Sequence, residues 1–250
     1  MSVLADSHVH LDRYPPSVVS AMLARARRAG VRQFLAIGVD LASSAAVVDL
    51  ARRRRGVLAA IGVHPTRVGR LDPGEALARL RELAGRPGVA AVGEVGLDDT
   101  AMESPLPAQE AFFSACLELA EELDLALSLH IIGAHRRARE IIKAGPAPRA
   151  VVHYFQADLA LARAYLALGC YISVAKPATR RDRVLLREAI RHIPLDRLLL
   201  ETDTYPLPGR TTEPCDLAEI CRAVAELRGL PYQTVARATT ANYLRLFRRQ

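Results

Sequence analysis

Eight short runs rich in Val, Ile and Leu recur along the chain, and each is followed by a longer segment whose apolar residues fall three and four apart. The runs are Val3 to His8, Gln33 to Ile37, Val57 to Ile61, Val89 to Gly93, Ala126 to His130, Ala150 to His153, Tyr171 to Val174 and Leu198 to Glu201. Helical spacing occupies Ser17 to Ala29, Ser43 to Arg54, Gly74 to Leu83, Ala108 to Leu123, Ala134 to Lys143, Leu159 to Leu168 and Arg183 to His192. Leu217 to Arg228 and a stretch ending in Tyr243, Leu244 and Phe247 follow the last run. Uninterrupted apolar runs mark strands covered on both faces, and their alternation with helices marks parallel βαβ units. Eight units in 250 residues match the usual size of a (β/α)₈ barrel, so the expectation is an α/β TIM barrel forming a single domain over 1–250. An open doubly wound sheet is the competing architecture. No G-x-G-x-x-G follows the first run and no long Gly-, Ser- or Pro-rich linker divides the chain, which weighs against that sheet and against two domains. The 101–107 and 204–214 stretches, rich in proline, read as rim loops.

Half of the residues are apolar and 24% are charged. Such a chain buries its own core, and disorder is excluded as its general state. No run of 18 uncharged apolar residues exists, and Asp6, His8, Asp12 and Arg13 stand where an export signal needs an apolar stretch. The expectation is a soluble, cytoplasmic protein with no membrane partner. Cys116, Cys170, Cys215 and Cys221 lack C-x-x-C spacing and read as reduced, buried thiols. The net charge of +7 rests on arginine, because Lys143 and Lys176 are the only lysines. Arginine suits phosphate partners, although a GC-rich coding genome produces the same bias. Arg52 to Arg55 read as a solvated helix end.

Of the seven histidines, His8, His10, His64, His130 and His153 sit at or just past the ends of expected strands, whereas His135 and His192 fall in helices. The C-terminal strand ends are where barrel enzymes assemble their sites. His8 and His10, two apart on a strand, face the same side. Glu94 directly follows the fourth run, and the eighth runs into Glu201-Thr202-Asp203. Imidazoles with carboxylates suit one or two divalent ions, Zn²⁺, Mg²⁺ or Mn²⁺, bound with open positions for catalysis. Such an ion makes a bound water acidic enough to act as nucleophile near neutral pH, and Asp203 is placed to take its proton. Glu94 stands where many two-metal barrel hydrolases carry a bridging carbamylated lysine.

Together these stretches resemble the TatD family of metal-dependent deoxyribonucleases, within the amidohydrolase-type barrels. The likeness runs through Asp6-Ser7-His8-Val9-His10-Leu11-Asp12, Gly62-Val63-His64-Pro65, Gly93-Glu94-Val95-Gly96-Leu97-Asp98, Gln109, His130, His153-Tyr154-Phe155, Tyr171-Ile172-Ser173, Ile193-Pro194-Leu195-Asp196-Arg197, Glu201-Thr202-Asp203 and Glu213-Pro214. The resemblance implies hydrolysis of DNA, often from a 3′ end. It implies His8, His10, Glu94, His130, His153 and Asp203 as metal ligands, Asp203 as base and His64 as a phosphate-facing residue.

The departures from the family pattern surround the substrate. Where the family reads His-x-Arg, this chain reads His130-Ile131-Ile132; Ala157 replaces a glycine, and Tyr205-Pro206 reverses a proline-aromatic order. A nuclease therefore needs other cations, and Arg136, Arg180, Arg181 and Arg183 are the expected substitutes, with Phe155 and Tyr205 for stacking on bases. Two alternatives stay open: a small-molecule amidohydrolase or deaminase on the same barrel, and a nuclease-like subunit whose partner subunits supply recognition.

Overall fold

The computed structural model describes residues 3–146, 149–209 and 212–247. The strands are β1 (Leu4–Val9), β2 (Val31–Ile37), β3 (Val57–Ile61), β4 (Val89–Asp98), β5 (Ala126–Ile132), β6 (Ala150–Val152), β7 (Tyr171–Val174) and β8 (Leu198–Leu200). The helices that cover them are α1 (Pro16–Arg28), α2 (Leu41–Arg53), α3 (Pro73–Ala84), α4 (Leu106–Glu122), α5 (His135–Ala144), α6 (Leu159–Leu166), α7 (Val184–His192) and α8 (Leu217–Arg228). A further helix, α9 (Tyr232–Phe247), follows. The strands form one eight-stranded sheet in sequence order, and every adjacent pair is parallel. Asp203 N–H donates to His8 O at 3.0 Å and His10 N–H to Thr204 O at 2.9 Å, so the chain past β8 meets the end of β1 and joins the ring. The α/β barrel expected from the eight runs is the observed architecture. In the 204–214 loop, residues 210 and 211 lie outside the described residues.

Two apolar layers hold the barrel. The larger lies between strands and helices, where Val9, Phe34, Ile61, Val92 and Leu129 meet Leu23, Val47, Leu80 and Phe113. The smaller fills the barrel axis, with Ala5, Ala60, Ala91 and Ala126 packed among Leu35, Ile37, Tyr171 and Leu199. Tyr243, Leu246 and Phe247 of α9 join this inner layer. Because the N-terminal half of the axis is filled by apolar groups, polar side chains gather at the C-terminal ends of the strands.

Candidate metal centre

Seven side chains converge there from six strands. His8 lies in β1, Glu94 in β4 and His130 in β5, while His10, His64, His153 and Asp203 lie just beyond the ends of β1, β3, β6 and β8. Register shifts interrupt the pairing of β1 between Asp6 and Val9 and of β4 between Val92 and Val95. Bulges re-aim side chains, and these two flank His8 and Glu94. The Gly93–Glu94 peptide is cis. Asp203 and Tyr154 hold left-handed backbone, with φ of 47° and 46°, a conformation that costs a non-glycine residue on the order of 1 kcal/mol or more. The N–H of Asp203 is tied to His8 O, and that of Tyr154 donates to Glu201 Oε1 at 2.6 Å.

Glu94 is the hub. Its Oε2 lies 3.5 Å from His8 Nε2 and 3.8 Å from His10 Nε2, and its Oε1 lies 2.9 Å from both His130 Nδ1 and His153 Nε2. His64 Nε2 stands 3.6 Å from the same Oε1. Asp203 Oδ1 closes the first side, 3.4 Å from His10 Nε2 and 3.8 Å from His8 Nε2. One carboxylate therefore separates two nitrogen sets, His8 with His10 and His130 with His153.

Hydrogen bonds fix several of the rings. His10 Nδ1 faces the carbonyl of Ile37 at 3.3 Å; a carbonyl only accepts, so Nδ1 carries a proton and, in the neutral ring, Nε2 keeps its lone pair. That lone pair faces His8 Nε2 at 3.2 Å. His153 Nδ1 points at the Glu201 carboxylate at 3.5 Å, which leaves its Nε2 against Glu94 Oε1. His64 Nδ1 accepts the Thr66 N–H at 3.3 Å, so a neutral His64 carries its proton on Nε2 and presents it to the cavity.

The charges follow from these contacts. Burial opposes ionisation of Glu94, but His153 and His8 and the hydrogen bonds from His130 and His153 outweigh it and hold the carboxyl well below its ordinary range. Burial likewise opposes charge on Asp203, and His10, His8 and His153 prevail, so it too stays ionised. His153 is pushed well above the usual histidine range: burial lowers it, and Glu94 and Glu201 more than compensate. Burial pushes His64 down to about 4, so it is neutral. His130 donates toward Asp98 as well as Glu94, with Nε2 3.3 Å from Asp98 Oδ2.

The donor set fits a divalent cation. Glu94 Oε2 is buried with no hydrogen-bond partner, which is costly for a charged oxygen unless a cation satisfies it. His8–His10–Glu94, His64–Glu94–His130 and His8–His153–Glu201 each bring their donor atoms within 4.8 Å of one another. Every residue singled out in the sequence for metal or proton chemistry is thus in this cluster.

The substrate-facing expectations fare differently. A cavity of about 730 Å³ opens over the cluster, and the arginines that line it are Arg13 and Arg67. Arg136, Arg180, Arg181 and Arg183 are not on its wall; Arg136 pairs with Glu140 and Arg180 with Asp182. Each of these two is held by a carboxylate of its own helix or turn off the cavity wall, whereas Arg13 and Arg67, paired with Asp12 and Asp40, border it. Phe155 lines the cavity but is 3% exposed, too buried to offer a face for stacking, whereas Tyr205 stands edge-on to His10 with ring centroids 5.8 Å apart. Ile132 lines the wall and is 45% exposed.

Sequence reasoning gave Glu201 and Asp98 no role, although each lies at even spacing from a site residue on the same segment. It also passed over Arg13 and Arg67, which follow the first and third strands without a motif to mark them. Gln109 explains its own place: it accepts from Asp98 N–H at 2.8 Å and donates to the carbonyls of Asp98 and Ser104 at 3.0 and 2.6 Å, fixing the end of β4.

Residues 5–248 match the family described as TatD related DNase. A "3'-5' ssDNA/RNA exonuclease TatD" from Cronobacter sakazakii is 39% identical over 238 residues, 90% of this chain and 90% of that protein. The "Uncharacterized metal-dependent hydrolase YcfH" of Escherichia coli K12 is 33% identical over 255 residues, covering 98% of this chain and 95% of the relative. Among solved structures, the TatD homologue YjjV of Escherichia coli K12 superposes with a TM-score of 0.90 at 31% identity, covering 98% of this chain and 97% of that one.

Proposed function

The chain belongs to the TatD-related DNase family and is a metal-dependent hydrolase; from that premise we propose that it cleaves phosphodiester bonds of single-stranded nucleic acid, DNA above all. The observation that carries the reading is Glu94 set between two imidazole pairs with an unpartnered, ionised oxygen facing one of them. His8, His10, Asp203 and Glu94 would hold one divalent ion, and Glu94, His130 and His153 a second. Bound there, Zn²⁺, Mg²⁺ or Mn²⁺ would supply Lewis acidity and a water acidic enough to attack near neutral pH.

The chain's own groups do the rest. Asp203 Oδ1, ionised and beside His10, takes the attacking water's proton. His64 Nε2–H donates to a phosphoryl oxygen as a neutral group, so it orients substrate without adding charge. Glu201 holds His153 and, through Tyr154 N–H, the turn after β6, a support that orients ligands in metal sites. Arg13 and Arg67, 38% and 46% exposed at the cavity rim, take the phosphate contact that Ile132 does not make. Free thiols at all four cysteines suit the reducing cytoplasm.

A second reading has an observation in its favour. Ile132 in the cavity wall where the family pattern sets an arginine suits a less charged substrate, as in a small-molecule amidohydrolase. Turnover of labelled single-stranded DNA, single-stranded RNA, duplex DNA and a set of neutral amides and lactones by metal-loaded protein separates the two. The nuclease reading expects strand hydrolysis, with Arg13→Ala plus Arg67→Ala raising KM and flattening log K against log salt by about 0.7 for each phosphate no longer neutralised. Turnover confined to neutral substrates would replace it.

A further inference from the structure

The opposite end of the barrel holds a feature unrelated to the metal centre. A cavity of about 960 Å³ is lined by Arg27, Arg32, Arg53, Arg54 and Arg55 and by the first residues of β2, β3 and β4. These are N-terminal strand ends, so the cavity and the metal centre lie at opposite faces.

Many arginines elsewhere on this surface are paired, among them Arg25 with Glu213, Arg67 with Asp40, Arg81 with Glu122, Arg137 with Glu110 and Arg149 with Asp124. Among the described residues none of the five cavity arginines joins an ion pair, and no acidic residue lines the cavity. Arg27 and Arg53 close the last turns of α1 and α2, where a cation offsets the helix dipole. That accounts for two. Arg32 and Arg55 lie outside the helices, and both are exposed. Gly56 pins them together, with φ of 81° and no room for a Cβ, which would stand 2.3 Å from Arg32 O. Arg27 Nη2 donates to Arg55 O at 2.9 Å, which further fixes the cluster. Like charges held side by side without counter-charge form a site that an anion stabilises.

We propose that these arginines form an anion-binding groove that grips the phosphate backbone of a nucleic-acid strand without reading its bases. The choice of occupant rests on the nuclease reading above, whereas the groove itself does not. Arginine offers a planar fork to phosphate oxygens. Of the apolar lining, Val57, Val89, Ala90 and Phe247 are at most 4% exposed and only the aliphatic Leu58 and Leu244 are partly exposed, so there is no open aromatic face for bases. The groove anchors the protein on a strand at a distance from the reacting bond.

The test uses full-length protein with metal chelated, so that nothing is cleaved. Anisotropy of a labelled single strand is measured across salt for the parent, for Arg32→Glu with Arg55→Glu, and for Arg32→Lys with Arg55→Lys. The reversal should weaken binding at least about tenfold at low salt and flatten the salt slope by about 0.7 for each phosphate that the groove no longer neutralises. The lysine pair, which keeps the charge, should retain most of the binding. Metal-loaded reversal variant should hydrolyse bis(p-nitrophenyl) phosphate at the parent rate, since that diester engages only the metal centre. Unchanged strand binding in a folded reversal variant overturns the groove. So does equal competition by polyglutamate at matched charge, or variant-sensitive binding to phosphatidylserine vesicles in place of DNA. Arginine-dependent binding by a protein that cleaves no nucleic acid would instead overturn the nuclease reading and leave the groove.

Discussion

Glu94 and Asp203 are both buried carboxylates kept ionised by neighbouring histidines, yet their surroundings assign them different work. Glu94 contacts nitrogens on both of its oxygens, whereas Asp203 sits at one side beside His10 and on the cavity wall. Asp203→Asn keeps the size of the side chain and removes its capacity to take a proton, so turnover should fall by about 10² to 10⁴ with at least one metal equivalent retained. Glu94→Ala should lose metal and turnover together. Metal content and rate, measured on both variants, decide it; unchanged turnover in Asp203→Asn refutes its role. Glu201→Gln should weaken metal affinity by about 10- to 100-fold through His153. An equilibrium titration with Zn²⁺ reads that loss, and affinity equal to the parent's would show that Glu201 only fills space.

At the scale of elements, β4 is the part that the sequence disclosed least well. The apolar run ends at Gly93, which predicts a strand stopping there, but β4 continues to Asp98 because it pairs with β5 as far as Ile132. Polar and glycine residues inside a strand leave no periodic apolar signal, and here tertiary pairing overrides local preference. The clustering of the site residues was legible because imidazoles and carboxylates that recur at the C-terminal ends of several barrel strands converge on one axis, where a shared cation or substrate stabilises them together. The arginines of the cavity wall were not legible, since nothing in a one-dimensional pattern distinguishes Arg67 from Arg136. Gly96 makes the β4 extension testable. It holds φ of 142°, and a Cβ there would stand 2.1 Å from His130 O. Gly96→Ala should therefore push β4 from β5, lower the melting temperature and reduce metal occupancy, because Glu94 and His130 lie on those two strands. Parent-like melting and metal content would show that the pair has slack.

Across the whole molecule the polar and apolar halves of the barrel meet above α9. Asp6 lies in this zone with its carboxylate taking the Thr202 N–H at 3.0 Å and the Thr202 hydroxyl at 2.6 Å. Tyr243, fully buried in the inner layer, has a hydroxyl with no hydrogen-bond partner among the described residues. Removing an unpaired buried hydroxyl relieves a desolvation cost, so Tyr243→Phe should stabilise the protein by about 1 kcal/mol. Chemical denaturation measures it, and a destabilisation of similar size would show that the hydroxyl is partnered. The same molecule carries the histidine and carboxylate cluster at one end and, at the other, a group of five arginines without ion pairs among the described residues, an arrangement that net charge alone did not disclose.

The central claim is that the Glu94-centred cluster hydrolyses phosphodiester bonds through bound divalent metal. Digestion of an end-labelled single strand, followed while metal-free protein is titrated with Mn²⁺, tests it most directly. The account predicts no cleavage without metal, cleavage rising to a plateau as the sites fill, and its loss on adding chelator. Strands left intact by fully loaded protein, or cleavage that survives the chelator, would contradict it.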